Sequence, residues 1–307
     1  MRREIEHAVS LHLGRPSVVQ HFTDLNDRAS HPAGVLHGPG LSVFAKLGTG
    51  DDASPQFEGE LRGLAVLRER GHRRTPMPIG PAVVTTAGGT VLLLTALREM
   101  PTGTRTPDDW RAIGRSLATL HRVHGERFGS AQDAGSEPGA GYFGPIRQDN
   151  RPVASNRWAD FYTERRLEPA LRSAVDSGHL PTEVRADVEL LCARLGSVCG
   201  PEPRPALLHG DAQQNNFVST HDGVVMVDAC PYFGHPEIDL AHVDYFQPVP
   251  EELFDGYREM LAIDSGFAGR RELWRLYAHL AMITVDGGSA FGRASLTRLD
   301  DALRLSR

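Results

Sequence analysis

Three polar residues in the second half of this chain have side-chain types that suit phosphoryl transfer. Asp211 follows the apolar run 206–208, Asn216 stands five residues further along, and Asp228 ends the apolar run 224–227. That reaction requires a protein to position an acceptor hydroxyl and to neutralise phosphate charge. We predict that Asp211 is the base that accepts the hydroxyl proton, while Asn216 and Asp228 offer oxygen ligands to Mg²⁺.

The elements around these residues have to bring them together. Residues 216–219 and 223–228 are predicted to be two short strands, and the Asp-Gly pair at their junction is typical of a hairpin turn. Such a hairpin returns Asp228 to the side of Asn216, so that both side chains reach the same cleft.

Two further residues are predicted to support the base. We expect His209 to be a buried hydrogen-bonding brace of the loop rather than a catalyst. Asp239 is expected to begin a helix over 239–245, where its carboxylate can accept hydrogen bonds from the backbone of the loop. The alternative for Asp239 is an ordinary helix N-terminal charge, because acids are favoured at that position anyway.

A lysine and a glutamate in the first hundred residues are predicted to form a second part of the site. Lys46 ends the run 43–46, from which its ammonium can reach the α- and β-phosphates of a nucleotide. At ~100° per residue, Glu60 falls between Leu64 and Leu67 on the apolar face of the following helix. A carboxylate there needs a compensating charge, so we predict that Glu60 pairs with Lys46 and orients it.

Strand patterns dominate the first third of the chain and helix patterns the rest. The predicted strands cover 18–22, 35–36, 41–47, 80–84 and 90–97, with helices over 4–13 and after an N-cap at Ser54. The apolar run 92–94 is expected to be a fully buried strand. Later helices are predicted over 109–123, capped by Asp108 or Asp109, and over 156–175, 182–198, 251–263, 271–285 and 296–305. We predict a nucleotide-binding lobe over 1–98 and a catalytic and substrate lobe over 99–307, joined by a hinge near 97–101.

Composition restricts the classes of function. The 33 Lys and Arg against 39 Asp and Glu give a net charge of -6, which disfavours general nucleic-acid binding because the phosphate backbone requires a basic surface. No apolar run approaches the ~18 residues of a membrane span, and the N-terminus lacks the apolar core of a signal peptide. We therefore expect a cytoplasmic protein without a membrane partner. We also expect a monomer or a weak homodimer. The three cysteines predict neither a disulfide framework nor a zinc site.

Several stretches resemble a known group of enzymes. The run PALLHGD at 205–211, with YFGHPEIDLA at 232–241, resembles the catalytic region that aminoglycoside phosphotransferases share with fructosamine (ketosamine) kinases. Three further segments fit the fructosamine kinases: GYFG at 141–144, QDN at 148–150 and WADFY at 158–162. The resemblance, which covers most of residues 40 to 300, implies a bilobal α+β protein-kinase-like fold. It also implies transfer of the γ-phosphoryl of ATP, or of GTP, to a hydroxyl of a sugar-bearing small molecule, with Mg²⁺ as cofactor and a ketosamine as acceptor.

Two departures from that family leave other functions open. Residues 23–30, where related kinases place a phosphate-covering loop, contain no glycine, and Ala212 and Gln213 replace the Leu-Trp pair that usually follows the HGD aspartate. Phosphorylation of an aminoglycoside or another sugar-bearing natural product is therefore the alternative. A nucleotide-binding regulatory protein without catalysis is a third hypothesis, which Asp211 disfavours because binding alone needs no base.

Overall fold

The first part of the chain is built on one antiparallel sheet. The computed structural model describes residues 1–25, 31–98, 105–131 and 141–305. Five strands pair in the order β1-β2-β3-β5-β4. They are β1 (His21–Asp24), β2 (Ala33–Gly38), β3 (Leu41–Gly48), β4 (Pro78–Thr86) and β5 (Gly89–Thr95), with helices α1 (Arg2–Leu13) and α2 (Ala53–Glu69) in the same region.

Strand β5 is covered on both faces, and this fixes where the two helices lie. Val91 and Leu93 pack with Ile5 and Val9 of α1, while the alternate residues Leu92 and Leu94 pack with Phe57 and Leu64 of α2. Successive side chains of a strand point to opposite faces of the sheet, so a continuous apolar run requires cover on both sides. The prediction that this run is a fully buried strand is confirmed.

Helices make up most of the described chain after residue 105. They are α3 (Pro107–His121), α4 (Trp158–Tyr162), α5 (Glu168–Asp176), α6 (Thr182–Val198), α7 (Glu237–His242), α8 (Glu251–Arg258), α9 (Phe267–Asp286) and α10 (Ala290–Leu305), and a π-helical turn over Thr163–Leu167 joins α4 to α5. The short strands between them are β6 (Gly129–Ser130), β7 (Gly141–Phe143), β8 (Ile146–Gln148), β9 (Ala206–Leu207), β10 (Phe217–Thr220), β11 (Gly223–Met226) and β12 (Tyr232–Gly234). Strands β10 and β11 form the predicted hairpin.

A buried network fixes α7 against α9. The Glu237 carboxylate accepts hydrogen bonds from the Nε1 of Trp274 at 2.6 Å and from the Nε of Arg270 at 3.0 Å. Glu237 is only 4% exposed, so these donors compensate the charge that burial would otherwise leave unpaired. The helix that carries Asp239 is thereby held in one position.

Several predicted helix starts are wrong, although the helices themselves are present. Helix α2 begins at Ala53 after Asp52 rather than after an N-cap at Ser54. Helix α3 is capped by Thr106, whose side chain and that of Asp109 form a reciprocal capping box. Helix α7 begins two residues before Asp239, which therefore lies in its first turn. Neighbouring Ser, Thr and Asp residues compete for the same cap, and the pattern alone does not rank them.

Two predictions fall largely outside the described residues. The hinge near 97–101 and the loop over 23–30 are described only in part, so the division into lobes at residue 98 stays a prediction. The described chain is strand-rich before this point and helix-rich after it, as predicted. None of the helices within the described ranges is long and apolar enough to span a membrane.

Candidate active site

The HGD segment lies in a turn that only a glycine can make. It follows β9, and Leu208 continues the pairing by donating its N–H to the carbonyl of Tyr232. Gly210 has a φ of 84°, and a Cβ placed there would overlap the carbonyl oxygen of Cys230. Left-handed backbone and close approach both favour glycine. The central residue of HGD therefore has a conformational role, and it directs Asp211 into the cleft.

The Asp239 carboxylate is hydrogen-bonded to the backbone of this turn. It is completely buried, and it accepts hydrogen bonds from His209 N at 2.6 Å and Gly210 N at 3.1 Å. The Nε2 of His121 lies 3.1 Å from the same carboxylate, and the Nδ1 of that ring lies 2.9 Å from the Tyr257 hydroxyl. Burial alone would raise the pKa of Asp239, but the contact with His121 outweighs it and holds the pKa below its ordinary value. The predicted contact of Asp239 with the loop backbone is confirmed.

His209 has the surroundings of a brace. The ring is fully buried, and its Nδ1 accepts a hydrogen bond from the backbone N–H of Asp211 at 3.4 Å. It packs against the Phe217 ring with centroids 5.2 Å apart. Burial lowers the pKa of His209, which keeps the ring neutral, so the predicted buried brace is confirmed.

Asp211 has the electrostatic surroundings of a base. Burial, together with the nearby charge of Asp228, raises the pKa of Asp211 to about 7. The side-chain amide of Gln213 donates a 3.5 Å hydrogen bond to its Oδ2, and the amide of Asn216 donates a 2.8 Å hydrogen bond to its backbone carbonyl. A carboxylate with a pKa near neutrality matches the proton affinity that general-base catalysis favours.

Lys46 contacts both the glutamate of α2 and the aspartate that follows β11. Its partner in the β3–β5 register is Leu92, which places the lysine on the sheet face that α2 covers. The Nζ donates hydrogen bonds to Glu60 Oε2 and Asp228 Oδ1, each at 3.0 Å. Burial alone would lower the pKa of Lys46, but the two carboxylates outweigh it and raise the pKa above its ordinary value. The predicted pair with Glu60 is confirmed, and the contact with Asp228 is an addition.

Asn216 and Asp228 offer a donor set that fits Mg²⁺. The side-chain nitrogen of Asn216 is committed to the backbone of the HGD segment, so the oxygen Oδ1 is the atom that it can offer to a cation. Asp228 has one carboxylate oxygen on Lys46, and its side chain is 38% exposed, which leaves the other oxygen accessible. The backbone N–H of Val227 donates to the carbonyl of Asn216 at 3.0 Å, so the two residues are held close.

These two oxygens would be completed by ligands from the nucleotide. Within the described ranges, no three His, Cys, Asp or Glu side chains are grouped so as to hold a metal by themselves. Mg²⁺ commonly binds through one or two protein oxygens together with substrate phosphates and retained waters. The donor set therefore matches a metal that arrives with phosphates.

A cavity of about 460 Å³ lies beside the candidate base and the lysine–glutamate pair. Lys46, Glu60, Asp211 and Asp228 line it, together with the β7 hairpin over 141–145. The cavity therefore places the candidate base and the candidate phosphate-binding lysine in one continuous space.

One residue that keeps this cavity in shape was not predicted from the sequence. A Cβ on Gly63 would lie 2.5 Å from the carbonyl oxygen of Ala229 and 2.9 Å from Pro231 Cδ. Helix α2 thus approaches the segment after Asp228 closely because Gly63 lacks a side chain. No motif or periodicity marks a helical glycine as a contact point, so only the tertiary structure shows it.

The fold and the site together define a phosphotransferase of the kinase-like class. An antiparallel sheet with a lysine–glutamate pair faces a helical region with a candidate Asp base, an Asn and a second Asp. The sequence model of the fructosamine kinase family matches residues 1–303, and the chain belongs to that family. The predicted fold class, the predicted family and the prediction of a small-molecule kinase are confirmed.

Individual relatives agree with this family. The chain is 28% identical over 288 residues to a probable ketoamine kinase of Synechocystis sp., which covers 92% of this chain and 91% of the relative. The crystal structure of a Thermobifida fusca protein assigned as a fructosamine-3-kinase superposes with a TM-score of 0.80 at 27% identity and covers 98% of each chain. A thermostable aminoglycoside phosphotransferase APH(4)-Ia covers 97% of this chain and 98% of its own, with a TM-score of 0.62 at 16% identity, and shares the fold.

Proposed function

We propose that this protein transfers the γ-phosphoryl of ATP to a hydroxyl of a ketosamine, with Mg²⁺ as cofactor. The observation that carries the proposal is the contact of Lys46 with both Glu60 and Asp228, 3.0 Å each, beside a cavity that Asp211 also lines. Family membership and the ketoamine kinase relative support a ketosamine as the acceptor. GTP is the alternative donor, because the predicted hinge is described only in part.

Each residue of the site has a role in this reaction. Asp211 accepts the proton of the attacking hydroxyl, and its raised pKa gives it the basicity for that step. Lys46 offers its charge to the nucleotide phosphates, and Glu60 holds it in place. Asn216 and Asp228 would hold Mg²⁺, which when bound neutralises phosphate charge.

The lining of the cavity disfavours the antibiotic alternative. Aminoglycosides carry several ammonium groups, which would need carboxylates besides those that serve the reaction. Among the described lining residues, the carboxylates are those of Glu60, Asp211 and Asp228, and all three belong to the phosphoryl-transfer set. A neutral or singly charged sugar derivative fits this lining better than a polycation.

Four further properties of the protein are proposed. We propose that residues 1–98 bind the nucleotide and that 99–307 supply the base and the acceptor site. We also propose a cytoplasmic location and a monomer or weak homodimer. The lack of a general nucleic-acid partner follows from the net charge of -6.

The test is mass spectrometry of a ketosamine after incubation with the protein, ATP and Mg²⁺, beside the variant Asp211→Asn. We expect a phosphoryl mass gain with the native protein and a rate about 10²- to 10⁴-fold lower with the variant, as for loss of a general base. Asp222→Asn, in the exposed hairpin turn and 83% exposed, is the matched control and should retain full activity. Equal turnover by Asp211→Asn would refute the assignment of the base.

A further inference from the structure

The cavity continues beyond the reacting groups, and its far part differs in chemistry from the near part. The near part carries the ionisable side chains Lys46, Glu60, Asp211 and Asp228. Among the described lining residues, the remaining side chains are neutral or apolar except for His31, whose pKa burial lowers. A ligand that extends past the base therefore meets a surface without fixed charge.

The neutral part includes a polar residue that is held rigidly. Asn150 lines the cavity and is 4% exposed. Its Oδ1 accepts a 2.6 Å hydrogen bond from the buried guanidinium of Arg166, which fixes the orientation of the amide. With Gln213 beside the base, this amide gives the inner end of the acceptor site two neutral hydrogen-bonding groups, as sugar hydroxyls require.

The mouth of the cavity is apolar and open. Phe246 is 38% exposed and Val285 is 49% exposed, and both line the cavity together with Met282. Val285 and Met282 stand on the last turn of α9, while the Phe246 ring stacks on the Phe291 ring with centroids 5.6 Å apart and planes at 18°. Large apolar side chains that are exposed together at a cleft mark a binding surface.

This apolar mouth is tied to the catalytic loop. The side-chain amide of Gln214 donates a 2.9 Å hydrogen bond to the carbonyl of Gln247, which connects the loop after Asp211 to the residue next to Phe246. The mouth is therefore held at a fixed position relative to the base, and one small molecule can contact both.

We propose that the Phe246–Met282–Val285 surface binds the amine substituent of the ketosamine, and that the enzyme favours uncharged apolar substituents over those that carry a carboxylate. The inference rests on the proposed function and names the acceptor class within it. The sugar occupies the polar inner end with one hydroxyl at Asp211, and its amine directs the substituent to the mouth. Among the described residues that line the cavity, no Lys or Arg stands at the mouth, so a carboxylate there loses water and gains no cation in return.

The experiment compares kcat/KM for four fructosamines that differ only in the amine substituent: methyl, butyl, benzyl and carboxymethyl. We expect the butyl and benzyl compounds to exceed the methyl compound by about tenfold, the gain typical of adding apolar groups in a pocket, and the carboxymethyl compound to fall below it. Val285→Lys should raise kcat/KM for the carboxymethyl compound and lower the preference for butyl. Leu190→Lys, at an apolar residue of α6 that is 60% exposed and does not line the cavity, is the matched control and should leave the order unchanged.

The outcomes separate this inference from the proposed function. Turnover of the methyl compound with equal kcat/KM across the series would overturn the inference and leave the ketosamine kinase intact. A preference for apolar substituents that Val285→Lys leaves unchanged would also overturn it, because the substituent would then bind elsewhere. If none of the four compounds gains a phosphoryl group, the proposed function itself fails, and the inference fails with it.

Discussion

Replacement of Asp239 by asparagine tests how the HGD turn is held. The carboxylate is fully buried and accepts hydrogen bonds from the backbone N–H groups of His209 and Gly210 and from the ring of His121. An amide has the same shape but a single oxygen, so its NH₂ group must face at least one of these donors. The variant therefore replaces an attraction with a donor–donor conflict at the turn that carries Asp211.

The size of the effect follows from these contacts. A hydrogen bond to a charged group contributes about 1.5–3 kcal/mol, and a buried donor left without an acceptor costs about 1–3 kcal/mol. We expect Asp239→Asn to lower the free energy of unfolding by about 3 kcal/mol. At about 2–4 °C for each kcal/mol, Tm should fall by about 6–12 °C.

The effect on catalysis should be on kcat. Displacement of the candidate base by about 1 Å can lower the rate by about 10²-fold, while the Lys46–Glu60 pair, which we propose binds the phosphates, is untouched. We therefore expect kcat to fall by between about tenfold and about 10²-fold. KM for ATP should stay within about twofold of the native value, because the lysine–glutamate pair does not move. Steady-state kinetics with both substrates varied separates the two parameters.

A matched control isolates the buried contacts. Asp255→Asn on α8 makes the same chemical change in a side chain that is 49% exposed and pairs with Arg258. Such surface pairs contribute about 0–1 kcal/mol, so Tm and kcat should be nearly unchanged. If Asp239→Asn also left Tm and kcat at native values, the claim that this carboxylate positions the base would be wrong.

Three further predictions concern the other parts of the site. Gly63→Ala should push α2 away from the carbonyl of Ala229 and lower kcat/KM by at least tenfold, since misplaced catalytic groups cost up to about 10²-fold. The control Gly269→Ala has open space around it and should be neutral or stabilising by up to about 1 kcal/mol. Equal kinetics for the two variants would refute the close-approach argument. Lys46→Ala should raise the apparent KM for ATP and lower kcat, as nucleotide titrations of the rate would show, and unchanged values of both would contradict its role at the phosphates. Removal of divalent cations with a chelator should abolish turnover, and added Mg²⁺ should restore it; activity in the chelated protein would exclude the metal.

Much of the fold followed from local patterns. The apolar run in β5 predicted a strand buried on both sides, and the Asp-Gly pair predicted the β10–β11 hairpin. Glu60 was placed on the buried face of its helix by spacing alone, and the need to compensate its charge predicted the pair with Lys46. These inferences succeeded because each depends on the period of one element or on one turn.

Helix starts were predicted less well, for a local physical reason. Thr106, Asp108 and Asp109 are all good capping residues, and the choice among them depends on which side chain reaches the free N–H groups. The capping box joins Thr106 and Asp109, a reciprocal arrangement that the residue types permit but do not by themselves select.

The sequence by itself determined which residues are candidates for the chemistry: the HGD aspartate as base, the Asn and Asp oxygens as metal ligands, and the lysine with its glutamate. Residue type and short spacing are enough to nominate them. Only the tertiary structure decided what else surrounds the base. Lys46 meets Asp228 across 182 residues of chain, and the cavity beside Asp211 is lined by the β7 hairpin, Phe246 and the end of α9. Such contacts depend on how separate elements pack, and neither periodicity nor turn chemistry carries that information.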